Sequence, residues 1–226
     1  MYETFIKRVI DLFISLLAFI IFLPAFIPVS IILLLTGEHR VWYFQKRIGY
    51  KNRSFYIWKF ATMLKDSPNM GTGSLTLRND PRVTAIGKIL RKTKINELPQ
   101  IFNVLLGNMS IVGPRPQMEV DFLKFPKNIQ KQIYNAKPGI TGIGSIVFRD
   151  EELLISKNSE MDPHEYYQKY IAPYKGEIEV WYQNHISFYT DMMIIFLTAW
   201  IIFRPKSNLP YKIFKDLPQK PQHLKL

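Results

Sequence analysis

The 226-residue chain contains no cysteine. This absence excludes disulfide bonds, a thiol nucleophile and a metal site built from thiolates, and it permits a cytoplasmic setting without showing one. Histidine is also scarce, and a solvated or hydrogen-bonded role is the better interpretation of each one, because no metal-ligand spacing connects His39, His164, His185 and His223.

Acidic residues are few relative to basic ones. Thirty Lys and Arg against eighteen Asp and Glu give a formal net charge of +12. This excess suggests an anionic partner such as nucleic acid, a membrane surface or a phosphorylated substrate. Composition does not distinguish these three. An apolar fraction of 47% is ample for a core, and the length fits one domain or one domain with an appendage.

The longest apolar run, from Val9 to Leu35, is long enough to be a membrane helix. Pro24 and Pro28 predict a break that leaves arms of about 21 Å and 16 Å, each shorter than a hydrocarbon core of about 30 Å. Cations flank both ends of the run, so the positive-inside rule puts both ends on the cytoplasmic side. A re-entrant hairpin satisfies these constraints. A kinked single span is the alternative, because proline-kinked spanning helices are common.

The domain organisation follows from this anchor. We assign residues 1–38 to the re-entrant membrane anchor and 39–205 to a globular α/β domain that is mainly helical with a small sheet. Residues 206–226 form a basic, proline-containing tail that we expect to be loose.

Within the domain, residues 41–63 predict a strand-turn-strand unit, whose aromatic side chains fit either a lipid interface or a core. The residues that follow, 68–73, have the composition of a mobile flap. Apolar periodicity and turn residues predict helices at 83–90, 122–134, 162–173 and 187–203. The last helix fits either the core or the membrane interface.

The segment from Leu90 to Pro116 holds the most function-like residues. Arg115 lies between two prolines, which fix the backbone on both sides and reduce the freedom it loses on binding an anion. A lone carboxylate, Glu97, follows the cations Arg91, Lys92 and Lys94. Cations around one carboxylate predict a site for phosphate and a divalent metal such as Mg²⁺. The alternative is a helix end, a loop and a solvated basic face.

Taken together, these segments resemble the bacterial sugar transferases, the monotopic phosphoglycosyl transferases that start glycoconjugate assembly on a polyprenyl phosphate. The resemblance covers nearly the whole chain. Its motifs are Lys7-Arg8 with Asp11, Phe44-Gln45 with Arg47 and Gly49, Lys59-Phe60 with Thr62-Met63, Asp80-Pro81-Arg82 with Thr84 and Gly87, Leu90-Arg91, Glu97-Leu98-Pro99-Gln100, Asn103-Val104, Met109-Ser110, Val112-Gly113-Pro114-Arg115-Pro116, Pro138-Gly139 with Thr141-Gly142, Arg149, and Ser187 with Asp191.

The resemblance implies a re-entrant helix, a small α/β domain partly sunk in the interface by amphipathic helices, and a location on the cytoplasmic face of the bacterial inner membrane. It also implies transfer of a sugar phosphate from a nucleotide sugar, expected to be a UDP-sugar, to polyprenyl (undecaprenyl) phosphate, with Mg²⁺. Membrane lipid is a further partner and homo-oligomerisation is left open. Nucleic acid is not expected, because the charge is explained and no recognition motif appears.

Several site residues are implied by the same resemblance. Asn96 and Glu97 occupy the positions of a catalytic Asp-Glu dyad, in which the Asp attacks the sugar-bearing phosphate and the Glu helps to bind metal. The positions expected to bind substrate or phosphate are Arg91, Arg115, Arg149, Lys59, Asp80 and Arg82.

The chain departs from the family pattern at the nucleophile, where Asn96 stands in place of the Asp. A neutral amide does not form a phosphoryl intermediate as a carboxylate does. Smaller departures are Ala61 where an Arg is usual, Asn108 where an Asp is usual, and Ser145 where a Gln is usual. The leading hypothesis is a phosphoglycosyl transferase, and the alternative is a non-catalytic relative that binds nucleotide sugar or polyprenyl phosphate and partners an active transferase.

Overall fold

The computed structural model describes residues 2–77, 79–157, 161–205 and 207–224, and it confirms a mainly helical α/β fold with little sheet. The strands of this part of the chain are β1 (Trp42–Ile48), β2 (Ser54–Phe60), β3 (Ser110–Val112) and β4 (Gly139–Thr141). Its α-helices are α1 (Lys7–Leu35), α2 (Ala85–Lys92), α3 (Gln100–Leu105), α4 (Glu119–Phe122), α5 (Lys127–Gln130), α6 (Ile143–Val147), α7 (Glu151–Lys157), α8 (Pro163–Tyr166), α9 (Ala172–Asn184), α10 (Phe188–Phe203) and α11 (Leu209–Ile213).

Helix α1 runs through Pro24 and Pro28 without interruption, and a π-helical turn precedes it at Tyr2–Ile6. The predicted division into two separate arms is therefore wrong. Each proline removes one backbone donor, which the surrounding helical hydrogen bonds tolerate. The combined helix is long and apolar enough to cross a membrane, and only 11% of its most apolar window is buried. This exposure fits a membrane-anchoring helix, while the re-entrant path stays a prediction.

A single stripe of α1 packs against the rest of the protein. Phe19 and Phe26 both contact Phe102 of α3, with ring centroids 5.5 Å and 6.0 Å apart. Farther along the helix, Leu33 is buried in one cluster with Phe60. The spacings of seven residues, from Phe19 to Phe26 and from Phe26 to Leu33, keep these side chains on one face of a continuous helix. Packing against the domain therefore supports α1 across its proline-containing middle.

A polar network, which we call the docking network, holds the start of α1 against β3. Its members are Lys7, Asp11, Tyr182 and Asp191. Lys7 pairs with Asp191 and also donates to the carbonyl of Val112 at 2.9 Å. Asp11 accepts from Ser110 Oγ and from the Ile111 amide, both at 2.9 Å. Asp11, the charged residue that interrupts the apolar run, is therefore one of its attachment points, together with Lys7 just before the run.

The predicted strand-turn-strand unit is an antiparallel hairpin of β1 and β2, in register from Trp42↔Phe60 to Ile48↔Ser54. Its turn uses Lys51 and Asn52 in the left-handed region, at φ 53° and 57°. Strand alternation sorts the side chains onto two faces. One face carries five aromatic residues, Trp42, Phe44, Tyr56, Trp58 and Phe60, which range from 1% exposed for Phe60 to 58% for Tyr56. The other face carries Gln45, Arg47 and Lys59 together with Tyr43, Phe55 and Ile57.

Strands β3 and β4 form a short parallel pair, Ser110↔Gly139 and Val112↔Thr141. The strands approach so closely at Gly113 that a Cβ there would lie 2.3 Å from the Lys137 carbonyl oxygen. This pair lies beside helices α9 and α10, whose buried faces contribute Ile178, Tyr182, Ile194 and Leu197 to the main core.

Two predicted helices have different limits in the structure. Of the helix expected at 122–134, the structure has mainly α5 (Lys127–Gln130), because α4 ends at Phe122 and Pro126 cannot continue a helix from it. The helix expected to end at Pro173 instead continues through a π-helical turn into α9, since Pro173 lies in the first turn of α9, where no amide donor is needed. Asp162 caps α8 as predicted, accepting from the amides of His164 and Glu165.

Helix α10 combines the two alternatives left open for it. Thr190, Asp191, Ile194, Leu197 and Ile201 are buried. Its exposed apolar residues are Phe188, Tyr189, Phe196, Trp200, Ile202 and Phe203. The helix therefore contributes to the core and also presents an apolar surface.

The C-terminal segment is packed, although its composition predicted a loose tail. Phe214 and Leu217 are buried in the main core. Tyr174 donates its hydroxyl to the Pro218 carbonyl at 2.7 Å, and Trp181 donates to Asp216 at 2.9 Å. Local composition missed these partners because they are distant in sequence. Residues 206, 225 and 226 of the predicted tail lie outside the described residues.

Candidate active site

Strand alternation places Lys59 on the hairpin face opposite the aromatic residues, and this face meets the turn that carries Glu97. The turn begins at Lys94, whose left-handed φ of 61° ends α2 and starts a 3₁₀ segment, Ile95–Glu97. The polar face of the hairpin, the Ile95–Glu97 turn and the Pro114–Pro116 loop after β3 together form the site.

Glu97 is the centre of the site. Arg115 Nη2 donates to Glu97 Oε1 at 3.1 Å, and Lys59 Nζ lies 4.0 Å from the same oxygen. Only 15% of the Glu97 side chain is exposed, so solvent screens these pairs less than it would at the surface. Among the described residues, Oε2 of Glu97 takes no hydrogen bond. The structure therefore brings together the carboxylate and the arginine that the sequence proposed as one site.

Electrostatics keep Glu97 ionised. Burial alone would raise its pKa, but Arg115, Lys59 and Lys94 outweigh burial and lower the pKa below its ordinary value. Burial lowers the pKa of Lys59 to about 7, against the opposing effect of Glu97. Glu97 in turn raises the pKa of Arg115. Near neutral pH the site therefore has a fixed anion, a fixed cation and a lysine that titrates.

The Pro114–Pro116 loop is fixed through its backbone. The Arg115 amide donates to Glu179 Oε1 at 3.2 Å, and its carbonyl accepts from the Tyr134 hydroxyl at 2.9 Å. Arg47 donates to the Pro116 carbonyl at 3.2 Å. Sequence reasoning missed Glu179, Tyr134 and Arg47 as site residues. Strand alternation could have found Arg47, which shares the Lys59 face, but no local pattern indicates Glu179 or Tyr134.

Several buried polar atoms have no hydrogen-bond partner in the described residues. Among them are Oδ1 of Asn96, Oγ of Ser145, Nη1 of Arg149 and Oε2 of Glu179. Buried polar groups in native proteins are almost always paired, and exceptions need an explanation such as a ligand or ordered water. Asn96 itself is 5% exposed. It is therefore buried with an unused acceptor, and its place as the nucleophile position stays a prediction.

Other predicted site residues are engaged elsewhere. Arg91 pairs with Glu152 at 2.9 Å in an exposed ion pair. Arg82 pairs with Asp80 and donates to the carbonyls of Ser67, Met70, Gly73 and Leu75. These contacts hold the loop that was expected to be a mobile flap. Phosphate binding by Arg91, Asp80 and Arg82 stays a prediction, as does that by Arg149, which makes no hydrogen bond within the described chain.

The site fits a magnesium ion whose ligands come mainly from the substrate and from water. No group of three or more His, Asp or Glu side chains placed to hold a metal occurs in the described residues. Mg²⁺ keeps several waters and is commonly held by one or two carboxylates together with substrate phosphates. The unengaged Oε2 of Glu97, beside the cations Lys59 and Arg115, matches that donor set.

Comparisons with known proteins agree with this chemistry. The sequence profile of the family described as "Bacterial sugar transferase" matches residues 2–205. The UDP-N-acetylgalactosamine-undecaprenyl-phosphate N-acetylgalactosaminephosphotransferase of Aeromonas hydrophila is 32% identical over 196 residues, which cover 86% of this chain and 43% of the relative. The UDP-glucose:undecaprenyl-phosphate glucose-1-phosphate transferase of Klebsiella pneumoniae is 34% identical over 203 residues, which cover 89% and 41%.

A shorter relative matches as well. The exopolysaccharide production protein ExoY of Rhizobium meliloti is 33% identical over 159 residues, which cover 64% of this chain and 70% of the relative. Against the Aeromonas and Klebsiella transferases, by contrast, the chain spans about two fifths of the relative's length.

Proposed function

Because this chain belongs to the bacterial sugar transferase family, we propose that it transfers a sugar phosphate from a UDP-sugar to polyprenyl phosphate at a membrane. The products are UMP and a polyprenyl-diphosphate-linked sugar, the starting unit of a polysaccharide or glycoconjugate. The observation that carries the proposal is the half-buried Glu97 held between Arg115 and Lys59, with one carboxylate oxygen unengaged.

The residues of the site divide the work of binding a diphosphate. Arg115 presents its guanidinium from a loop fixed at both backbone ends, so it loses little freedom on clamping a phosphate. Lys59 adds a second cation, and a bound phosphate would favour its charged form. Glu97 would hold Mg²⁺ through Oε2, and the ion would neutralise charge on the diphosphate. Asn96 precedes Glu97 in the chain and carries a neutral amide.

The membrane placement of the proposal uses α1 and the exposed face of α10. Both present large apolar side chains on the outer surface, including Phe13 at 69% and Phe203 at 81% exposure. Cations lie on both sides of the apolar run, which favours a cytoplasmic position for both ends and a re-entrant path for α1.

This topology can be tested with single cysteines, because the native chain has none. Cysteine at Glu3 and cysteine at Glu38, both exposed positions, should each resist a membrane-impermeant thiol reagent in intact cells and react after lysis. Labelling of exactly one position from outside would show a spanning helix and reject the re-entrant path.

A second candidate function rests on Asn96. An amide lacks the anionic oxygen needed to attack phosphorus, and loss of a nucleophile can cost about a millionfold in rate. A non-catalytic relative that retains the Glu97 and Arg115 site would bind the same ligands and partner an active transferase.

The deciding experiment is a transfer assay with a panel of UDP-sugars, polyprenyl phosphate and Mg²⁺, on the native chain and on Asn96→Asp. If the Asp variant regains turnover and forms a phosphosugar adduct detected by intact mass, the remaining site residues are competent for catalysis. Comparable turnover of both proteins would show that the transfer does not need a nucleophile at residue 96. Donor binding without turnover in either protein would favour the non-catalytic relative, and no donor binding in either would reject both functions.

A further inference from the structure

The buried carboxyl group of Glu179 lies directly behind the Arg115 loop. Glu179 is 1% exposed and belongs to the middle of α9. Its Oε1 accepts from the Arg115 amide at 3.2 Å, whereas its Oε2 is buried and has no partner in the described residues. A carboxyl group in such a position is costly to bury, so it needs a reason to be there.

The neighbouring backbone leaves room for this carboxyl group. A Cβ on Gly144 would lie 2.2 Å from Glu179 Oε1 and 2.8 Å from its carboxyl carbon. No side chain at residue 144 could coexist with Glu179 in this position. The first turn of α6 therefore fits closely against the Glu179 carboxyl group, which in turn accepts from the Arg115 amide.

The contacts of Arg115 show what this arrangement fixes. Glu179 holds the amide of Arg115 from behind, and Tyr134 holds its carbonyl. With the main chain fixed at both groups, the guanidinium reaches Glu97 Oε1 at 3.1 Å. A shift of about 1 Å in a group of this kind can cost on the order of a hundredfold in activity.

We propose that Glu179 is a positioning residue, which sets the place of Arg115 so that its guanidinium can clamp the donor diphosphate against Glu97. The proposal rests on the proposed function, because it names a residue that acts on the same site through Arg115. Glu179 touches no substrate.

The charges around Glu179 make its protonation relevant near neutral pH. The groups that face it are Arg115 from the loop, Lys175 from the preceding turn of α9, and Glu151 from α7. Burial raises the pKa of Glu179 to about 7, although the Arg115 amide, Lys175 and the Arg115 guanidinium act in the opposite direction. The ionised carboxylate is the stronger acceptor for the Arg115 amide.

The test measures UDP affinity in the presence of Mg²⁺ by calorimetry, on the full chain in nanodiscs. Glu179→Leu removes the acceptor and should weaken UDP binding by about tenfold, which corresponds to about 1.4 kcal/mol. Glu179→Gln keeps an acceptor oxygen of the same reach and should stay within about threefold of the native affinity. The matched control is Glu177→Leu, an exposed glutamate on the same helix, which should change nothing.

Two further measurements separate positioning from a general loss of structure. In an Arg115→Ala background, Glu179→Leu should cause no additional loss of UDP affinity, because no guanidinium is left to position. If Glu179→Leu does not fold, the pH profile of UDP affinity decides, since Glu179→Gln should change the profile near pH 7 by leaving only the titration of Lys59 there. Native affinity in folded Glu179→Leu, additive losses with Arg115→Ala, or identical pH profiles would overturn the proposal. Absence of UDP binding by the native chain would instead overturn the proposed function, and the positioning role with it.

Discussion

The docking network at the start of α1 buries a lysine and two carboxylates, whereas Lys59 and Glu97 at the candidate site are half-buried, and the polar atoms of the two regions are satisfied to different degrees. In the docking network, Lys7 has three acceptors: Asp191, Tyr182 and the Val112 carbonyl. Around Glu97, by contrast, buried atoms of Asn96 and Glu179 have no partner in the described residues. The comparison indicates that the first set of charges serves attachment, whereas the second is arranged for something that binds.

Removing one member of the docking network should have the largest effect. Lys7→Met leaves Asp191 buried without its cation, and breaking a buried pair in this way costs about 3–5 kcal/mol. Denaturant unfolding in detergent measures the loss. The matched control is Arg91→Met, because the exposed Arg91 and Glu152 pair should contribute about 0–1 kcal/mol. Equal losses of unfolding free energy in the two variants would contradict the attachment role of the docking network.

Arg82 tests the same distinction between structural and ligand-binding charges. Its position predicted phosphate binding, but in the structure its guanidinium is hydrogen-bonded to Asp80 and to loop carbonyls. Arg82→Met should cost about 3 kcal/mol of stability, since it leaves buried Asp80 and several loop carbonyls unpaired. UDP affinity of the folded variant should stay within about twofold. Lost affinity at unchanged thermal stability would instead place Arg82 in the binding site.

Glu97 and Arg115 should show a smaller, coupled effect on binding. Glu97→Gln and Arg115→Met should each weaken Mg²⁺-dependent UDP binding by about tenfold, or about 1.4 kcal/mol. The double variant should lose less than the sum, because one bridged ligand serves both side chains. A double-mutant cycle by calorimetry measures this coupling, and strictly additive losses would contradict a shared ligand.

The pH dependence of stability tests the buried carboxyl group of Glu179. The pKa of Glu179 rises from 4.5 to about 7 on folding, so the folded state binds the extra proton between these values. Stability should therefore fall as pH rises from about 4.5 to 7, and the loss is fully present above 7. Glu179→Gln should flatten this part of the profile, as measured by thermal unfolding across that pH range. An unchanged slope would place the titrating group elsewhere.

Much of this architecture could be predicted because it has a local signal. The apolar run gave α1, alternation and turn residues gave the hairpin, and cations around a lone carboxylate gave the pairing of Glu97 with Arg115. The roles assigned to the site residues stay predictions.

Other features lacked a local signal. Glu179 is 64 residues from Arg115, and only the folded chain places it behind the loop. The C-terminal segment has a loose composition but is held by Phe214 and Leu217, which no neighbouring residue predicts. The predicted break in α1 failed for the opposite reason, since packing against Phe102 outweighs the local effect of proline.

The two prolines of α1 still leave a mark on the helix. Pro24 and Pro28 cannot donate to the carbonyls of Ile20 and Pro24, and both of these residues are exposed. A carbonyl without a donor is costly in hydrocarbon and inexpensive where water or lipid headgroups reach it. We therefore expect water or lipid headgroups to reach the middle of this otherwise apolar helix. Their presence would draw α1 toward the bilayer surface and locally thin the leaflet on that side.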